Sequence, residues 1–270
     1  CRNSLFERLI NIQKKNGSEE FIHMLFKQGR MHPEISSFSN EIFYEKKLKP
    51  IPLKHQLEIL HCPSYDKSDG LQNLIASHRL AFIVSKGDKN PISDKTNKDE
   101  AIRISALLKT IYTINKNNFN PQTVGVIVPY RNQIALIRKE IKQLNIPALS
   151  DITIDTVERY QGSERDFIIY GFTVQKIYQL EFLTGNVFKD NGQTIDRKLN
   201  VVLTRARKQL FLIGNPQILS YNIIFQKLIK FIDNRQGVCD IPTEYFIQGK
   251  FSCSPADKTS VPDSRQKLNV

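Results

Sequence analysis

The chain has 270 residues, with 39 Lys+Arg against 27 Asp+Glu for a formal charge of +12 and a pI near 9.5. That length suits one large domain or two small ones, and 40% hydrophobic with 24% charged residues excludes a disordered or fibrous chain. No run of about 18 uncharged apolar residues is present, which excludes a membrane-spanning helix, and the opening CRNSLFERLI lacks an apolar signal core.

In chain order, the first clear feature is the polar turn Gln28-Gly29-Arg30-Met31-His32-Pro33, which leads into a helix whose first position suits Pro33. The stretch 48–78 fits no element. RLAFIVS at 79–85 reads as a strand. Asn97 followed by Glu100 resembles a capping box, and Ile102, Leu107, Leu108 and Ile111 then share one helical face. TVGVIV at 123–128, rich in β-branched residues and stopped by Pro129, predicts a buried strand. Ile134, Ile137, Ile141 and Leu144 step by three and four, which predicts a second helix.

Strands follow near Ile152–Asp155 and at Asp166–Thr173, then a helix around Lys198–Ala206 and the strand Gln209–Ile213, stopped by Gly214-Asn215-Pro216. A last helix covers roughly Tyr221–Asp233, and the polar residues after about 249 read as a disordered tail. Near-continuous apolar strands separated by helices are the pattern of a parallel sheet covered on both faces. The fold class expected is therefore α/β, doubly wound, mostly parallel, with helices on both faces.

The positive excess favours a polyanionic partner such as nucleic acid, although basic and acidic residues are interleaved, as in KGDKNPISDKTNKD at 86–99. Cys1, Cys62, Cys239 and Cys253 contain no C-x-x-C pair and suit neither a disulfide framework nor a zinc site, so a cytoplasmic, reducing location and no resident metal are expected. The first residue is Cys rather than Met, so the chain is expected to begin inside a longer gene product.

In doubly wound folds, ligands collect outside the carboxyl ends of the strands. Three polar clusters are expected there: Pro129–Gln133, Thr156–Asp166 and Thr204–Arg207. Arg30, just ahead of a helix start, could meet an anion, or could be a surface residue of a turn; His32 beside Pro33 suits a turn hydrogen bond better than catalysis. The second cluster packs hydroxyl, amide, carboxylate and guanidinium groups around Gly162, a set suited to ribose and phosphate, with glycine allowing close backbone approach. Arg205 and Arg207 leave a helix near its C-terminus, where the dipole favours cations; a rigid helix could equally aim one at a phosphoryl group.

Four elements in order resemble the second RecA-like domain of superfamily 1 helicases, in the 5′→3′ branch that contains the up-frameshift RNA helicase of nonsense-mediated decay. They are Gln28–Pro33 with the following FSNEIFYEKKL, VGVIVPYRNQ at 124–133, DTVERYQGSERDFII at 155–169, and LNVVLTRARKQLFLIGNP at 199–216. The resemblance implies an N-terminal extension over 1–24, the RecA-like domain over 25–235, and a C-terminal extension over 236–270. It also implies ATP and Mg²⁺ in a cleft between two lobes, and a single strand of DNA or RNA as the track. Arg30 and Arg205 match the arginines that reach the γ-phosphate. Gln28, Gly162, Glu164 and Arg207 fall to nucleotide binding, with Glu164 at the sugar and Gln161 and Gly162 shaping the loop. Pro129, Tyr130, Arg131, Gln133, Thr156 and Arg159 fall to the nucleic-acid path or its link to ATP.

Many relatives carry tyrosine where this chain has Gly29, so base stacking from this lobe, and discrimination among nucleoside triphosphates, are expected to be weak. No G-x-x-x-x-G-K-[ST] occurs, and no apolar strand ending in Asp-Glu precedes the first element. The phosphate loop and metal ligands are therefore expected in an upstream lobe, and the isolated chain is expected to be inactive. The alternative is a non-catalytic nucleic-acid-binding module of the same fold.

Overall fold

The structure, a computed structural model, describes residues 5–248 except 18, 24, 61–64, 89–90, 92, 186 and 191–192. The tail after 249 lies outside the described residues.

The chain begins with α1 (Leu5–Lys15), β1 (Lys27–Gln28), α2 (Pro33–Phe43), β2 (Lys49–Pro50), α3 (Lys54–Leu57) and α4 (Gly70–Ser77). It continues through β3 (Leu80–Val84), α5 (Lys98–Ile114), β4 (Val124–Val128), α6 (Arg131–Gln143), β5 (Thr153–Thr156) and β6 (Arg165–Gly171). Then come α7 (Leu180–Thr184), the strands β7 (Val187–Asp190) and β8 (Gln193–Asp196), α8 (Arg197–Leu203) and β9 (Ala206–Gly214). Helices α9 (Pro216–Leu219) and α10 (Ile223–Asp233), strand β10 (Val238–Cys239) and α11 (Thr243–Gln248) complete it.

Six strands form one sheet in the order β10-β3-β9-β6-β4-β5, with every neighbouring pair parallel. Antiparallel pairing among the described residues is confined to β7 and β8. The apolar strands divide their side chains between two cores, as a strand's period of two requires. Phe82, Ile127, Ile168, Tyr170, Leu210 and Leu212 join a core with α2, α8 and α10. Ala81, Ile83, Val124, Val126, Ile169, Phe211 and Ile213 join the opposite core with α4, α5 and α6. The sheet is parallel and doubly wound, with helices on both faces, as the sequence pattern predicts.

Helix starts fall where the sequence marks them, but the box expected of Asn97 and Glu100 does not close: the Asn97 amide donates to Gln133 and the Glu100 carboxylate accepts from Thr173. Asn97 caps α5 by accepting from the Glu100 amide at 3.2 Å, and His32 caps α2 through Nδ1, at 3.3 Å from the Glu34 amide. Burial and the nearby Arg79 lower the His32 pKa, keeping the ring neutral and able to accept.

The ends of the sheet differ from expectation. Pro129–Gln133 and Thr156 do lie at the carboxyl ends of β4 and β5, but Glu164–Asp166 and Thr204–Arg207 lie at the amino ends of β6 and β9. The seven residues of β6, at about 3.3 Å each, separate the two ends by roughly 20 Å. The reason is the connection from β5 to β6. Because these strands are parallel, residues 157–164 must run back along the sheet, and they cross the face of β4 with Val157 and Tyr160 in the core. Tyr160 is 1% exposed, and a Cβ on Gly125 would meet its hydroxyl at 1.6 Å, so only glycine fits beneath it.

The first residues of the expected C-terminal extension are part of the lobe. β10 pairs with β3 as an edge strand, and Ile241 and Phe246 enter the core. Arg103, fully buried, ties them down. It donates to Asp99 at 2.8 Å, to the Ile241 carbonyl at 2.7 Å and to Thr243 at 3.0 Å, with its guanidinium 4.5 Å from the Phe246 ring centre.

Candidate nucleotide site and nucleic-acid edge

Three segments far apart in sequence converge at the amino end of the sheet. Arg30 Nε donates to Glu164 at 2.7 Å, and its Nη1 reaches the Thr204 carbonyl at 3.3 Å. Arg207 approaches Glu164 on the other side at 3.9 Å and Asp166 at 3.7 Å. Glu164 therefore sits between two arginines. Arg205 is buried, donating to the Val201 carbonyl at 3.0 Å, the Ser163 carbonyl at 3.3 Å and the Thr204 hydroxyl at 3.2 Å. Burial, then repulsion from Arg30, lowers its pKa. Three guanidinium groups against Glu164 and Asp166 leave positive charge here, which suits a phosphate-bearing ligand. Beside the cluster opens a polar cavity of about 390 Å³, lined in part by Arg79, Asp166, Arg207 and Lys208.

The turn carrying Arg30 is built by its neighbours. Gln28 Oε1 accepts from the amides of Arg30 at 3.1 Å and Met31 at 2.9 Å, and its Nε2 donates to the Met31 carbonyl. Both ends of that side chain serve the turn. The stretch 48–78, unplaced from sequence, braces it from outside. β1 pairs with β2, the buried Gln56 donates to the carbonyls of Gln28 and Met31, and His55 Nε2 lies 2.9 Å from the Arg30 carbonyl. Leu53 fills the direction a side chain at Gly29 would take, 3.1 Å from its Cβ position. Sequence reasoning missed His55 and Gln56. Their one signal is an imidazole and an amide inside the apolar stretch IPLKHQL, and nothing local says which backbone they meet. Gly162, at φ +90°, makes the turn ahead of Glu164 and has open space around its Cβ direction.

The carboxyl end holds the residues assigned to nucleic acid, but only two of the six are exposed. Gln133 is fully buried, with Oε1 accepting from the Asn97 amide at 2.8 Å and Nε2 donating to its carbonyl at 2.9 Å. This holds the start of α5 against that of α6. Pro129 and Thr156 are buried as well. Tyr130 is 9% exposed, its ring stacked on Phe182 with centres 4.8 Å apart, and Lys198 lies 4.3 Å from the Phe182 centre. Arg131 is exposed and makes no ion pair among the described residues, and Arg159, also exposed, lies 3.9 Å from Asp155. Between these groups, Glu100 is fully buried, accepting from the Thr173 amide at 2.8 Å, and desolvation pushes its pKa up to about 8.

Among the described residues, no group of three or more His, Cys, Asp or Glu is arranged to hold a metal ion, and no helix is long and apolar enough to cross a membrane.

Comparison with known proteins agrees with this architecture. The AAA domain family (AAA_12) matches residues 1–217. An uncharacterized ATP-dependent helicase of Methanocaldococcus jannaschii is 30% identical over 236 residues, covering 85% of this chain and 31% of that protein. The human DNA replication ATP-dependent helicase/nuclease DNA2 is 25% identical over 256 residues, covering 89% of this chain and 22% of that protein. The Drosophila melanogaster regulator of nonsense transcripts 1 homolog is 27% identical over 240 residues, covering 86% and 18%. The chain thus spans less than a third of the length of these relatives. With a matching domain across most of its length and a doubly wound parallel sheet beneath it, the chain belongs to the AAA domain family.

Proposed function

We propose that this chain is the second RecA-like lobe of an ATP-dependent superfamily 1 helicase or translocase of the up-frameshift type. The observation that carries the proposal is the meeting of Arg30, Glu164, Arg205 and Arg207 at one end of the sheet, with Arg30 brought in from 134 residues before Glu164. The printed names of the relatives, ATP-dependent helicases among them, support it.

On this reading Arg30 and Arg205 stabilise negative charge on the γ-phosphate of ATP, while Glu164 accepts a ribose hydroxyl and Arg207 adds a phosphate contact. ATP supplies the phosphoryl group that is hydrolysed. In the present geometry Glu164 holds Arg30 at 2.7 Å, so a hydroxyl donated to Glu164 would free that guanidinium for phosphate. Mg²⁺ and the phosphate loop would be held by an upstream lobe packed against this end, and single-stranded DNA or RNA would pass the other, with Arg131 and Arg159 on its phosphates.

The test is Arg205→Ala in the longer protein. Nucleic-acid-stimulated hydrolysis should fall by about 10³-fold or more, with the circular dichroism spectrum of the folded protein retained and melting lowered, because the carbonyls of Val201 and Ser163 lose a donor. Hydrolysis retained at near wild-type rate would remove Arg205 from the reaction and favour a non-catalytic nucleic-acid-binding module.

A further inference from the structure

Proteins that bind single strands commonly stack bases on aromatic side chains, and the aromatic residue that the sequence offered for that edge is not free to do it. Tyr130 is almost buried and covered by Phe182, which Lys198 approaches in turn. The residues beside them are different. Ile177 is 52% exposed and Tyr178 is 56% exposed, at the carboxyl end of the sheet between β6 and α7. Tyr178 is close enough to Tyr130 to contribute, after burial, to raising the Tyr130 pKa.

An exposed aromatic ring is ordinarily loose, but this one is anchored. The Tyr178 hydroxyl donates to Asp94, and Lys176 bonds the same carboxylate at 3.1 Å with its ammonium 5.8 Å from the Tyr178 ring centre. Buried Gln179 accepts from the amides of Gln175 and Lys176 at 2.7 and 2.8 Å and donates to the Asp94 carbonyl. Gln175 donates to the Thr96 carbonyl at 2.5 Å. The loops after β3 and β6 are thereby tied together beneath an open phenol face. Preorganisation of this kind lowers the ordering cost of binding.

Charge around the platform points to the class of ligand. Arg131, the first residue of α6 and next to Tyr130, has no ion-pair partner among the described residues, and Lys176 neutralises Asp94; Glu181 is the one acid of residues 174–184. An anchored ring with the unpaired Arg131 on the same edge suits single-stranded nucleic acid, whose bases stack on rings while its phosphates meet cations. Resting on the function proposed above, we infer that Tyr178, backed by Ile177, is the base-stacking platform of this lobe.

The experiment measures binding of fluorescein-labelled oligo-dT and oligo-U of about 12 nucleotides to the 270-residue chain by anisotropy, across a salt series. Tyr178→Ala should weaken binding about tenfold with the slope of log affinity against log salt unchanged. Tyr178→Phe, which keeps the ring and loses the Asp94 bond, should weaken it only about two- to threefold. Arg131→Gln should instead reduce the salt slope by about one. Wild-type affinity in Tyr178→Ala, alongside weakened binding in Arg131→Gln, overturns the platform and leaves the nucleic-acid edge standing. A wild-type chain that binds neither oligomer overturns both.

Discussion

Replacing Gly125 by alanine should strike the connection that runs from one end of the sheet to the other. The new methyl would sit 1.6 Å from the Tyr160 hydroxyl and 2.8 Å from Cζ, so the phenol must retreat by roughly 2 Å to reach ordinary contact. It has nowhere to go. Tyr160 is 1% exposed within a core that includes Ile127, Ile168 and Tyr170, and its backbone is bonded to the Thr156 carbonyl and to the Ser163 amide. Overpacking of a filled core costs about 1–3 kcal/mol, and the size of this overlap puts Gly125→Ala near about 3 kcal/mol. For a domain of this length that lowers Tm by about 6–12 °C.

The hydroxyl supplies the control. It is buried with no hydrogen-bond partner among the described residues, and burial raises its pKa to about 12. Tyr160→Phe should therefore be neutral or stabilise by about 1 kcal/mol, since an unpaired buried polar group carries a desolvation penalty. Combined with Gly125→Ala it removes the closest overlap, leaving Cζ as the nearest obstacle, so the double variant should recover about 1–2 kcal/mol. Urea denaturation of the four proteins gives the cycle. A neutral Gly125→Ala, or additive effects in the double variant, would refute the placement of Tyr160 over β4. If residues 157–164 also set the arginine cluster, Gly125→Ala in the longer protein should reduce ATP hydrolysis together with stability.

Two further outcomes rest on buried charge. Glu100 has its pKa raised from 4.5 to about 8 in the folded chain, so the folded state binds the extra proton and stability should decline from about pH 4.5 to about pH 8, by up to ~1.4 kcal/mol per unit. Between pH 5.5 and 7.5 urea unfolding should show a loss of about 2 kcal/mol that Glu100→Gln does not share; parallel profiles in the two proteins would discard this account. Arg103→Ala leaves the Ile241 carbonyl and Asp99 short of a partner and should cost about 3 kcal/mol. Amides of 239–246 should then exchange before the rest of the sheet, and uniform exchange would mean that the arginine does not anchor this segment.

Much of the architecture could be read along the chain. β-branched runs such as Val124–Val128 and the three-and-four spacing of Ile134, Ile137 and Ile141 determine local structure because each periodicity puts apolar atoms on the faces that must leave water. Pro33 and Asn97 mark helix starts because their local chemistry is complete within three residues. The four elements around Arg30, Tyr130, Glu164 and Arg205 were legible as well, since each is a contiguous string.

What the string does not contain is the path back. Polar residues around Thr156 and Glu164 look like one cluster in sequence, yet the parallel pairing of β5 and β6 on either side of β4 sends them to opposite ends of the sheet. Nor does it say which polar side chains will be consumed by packing. Gln28 builds a turn, Gln133 clamps Asn97, and Tyr130 disappears under Phe182, whereas Tyr178 stays in solvent. His55 and Gln56 reach the Arg30 turn across some 25 residues of chain. Local periodicity decides which face of an element is buried. Only closure of the tertiary fold decides which hydrogen-bonding groups find each other there, and so which remain for a ligand.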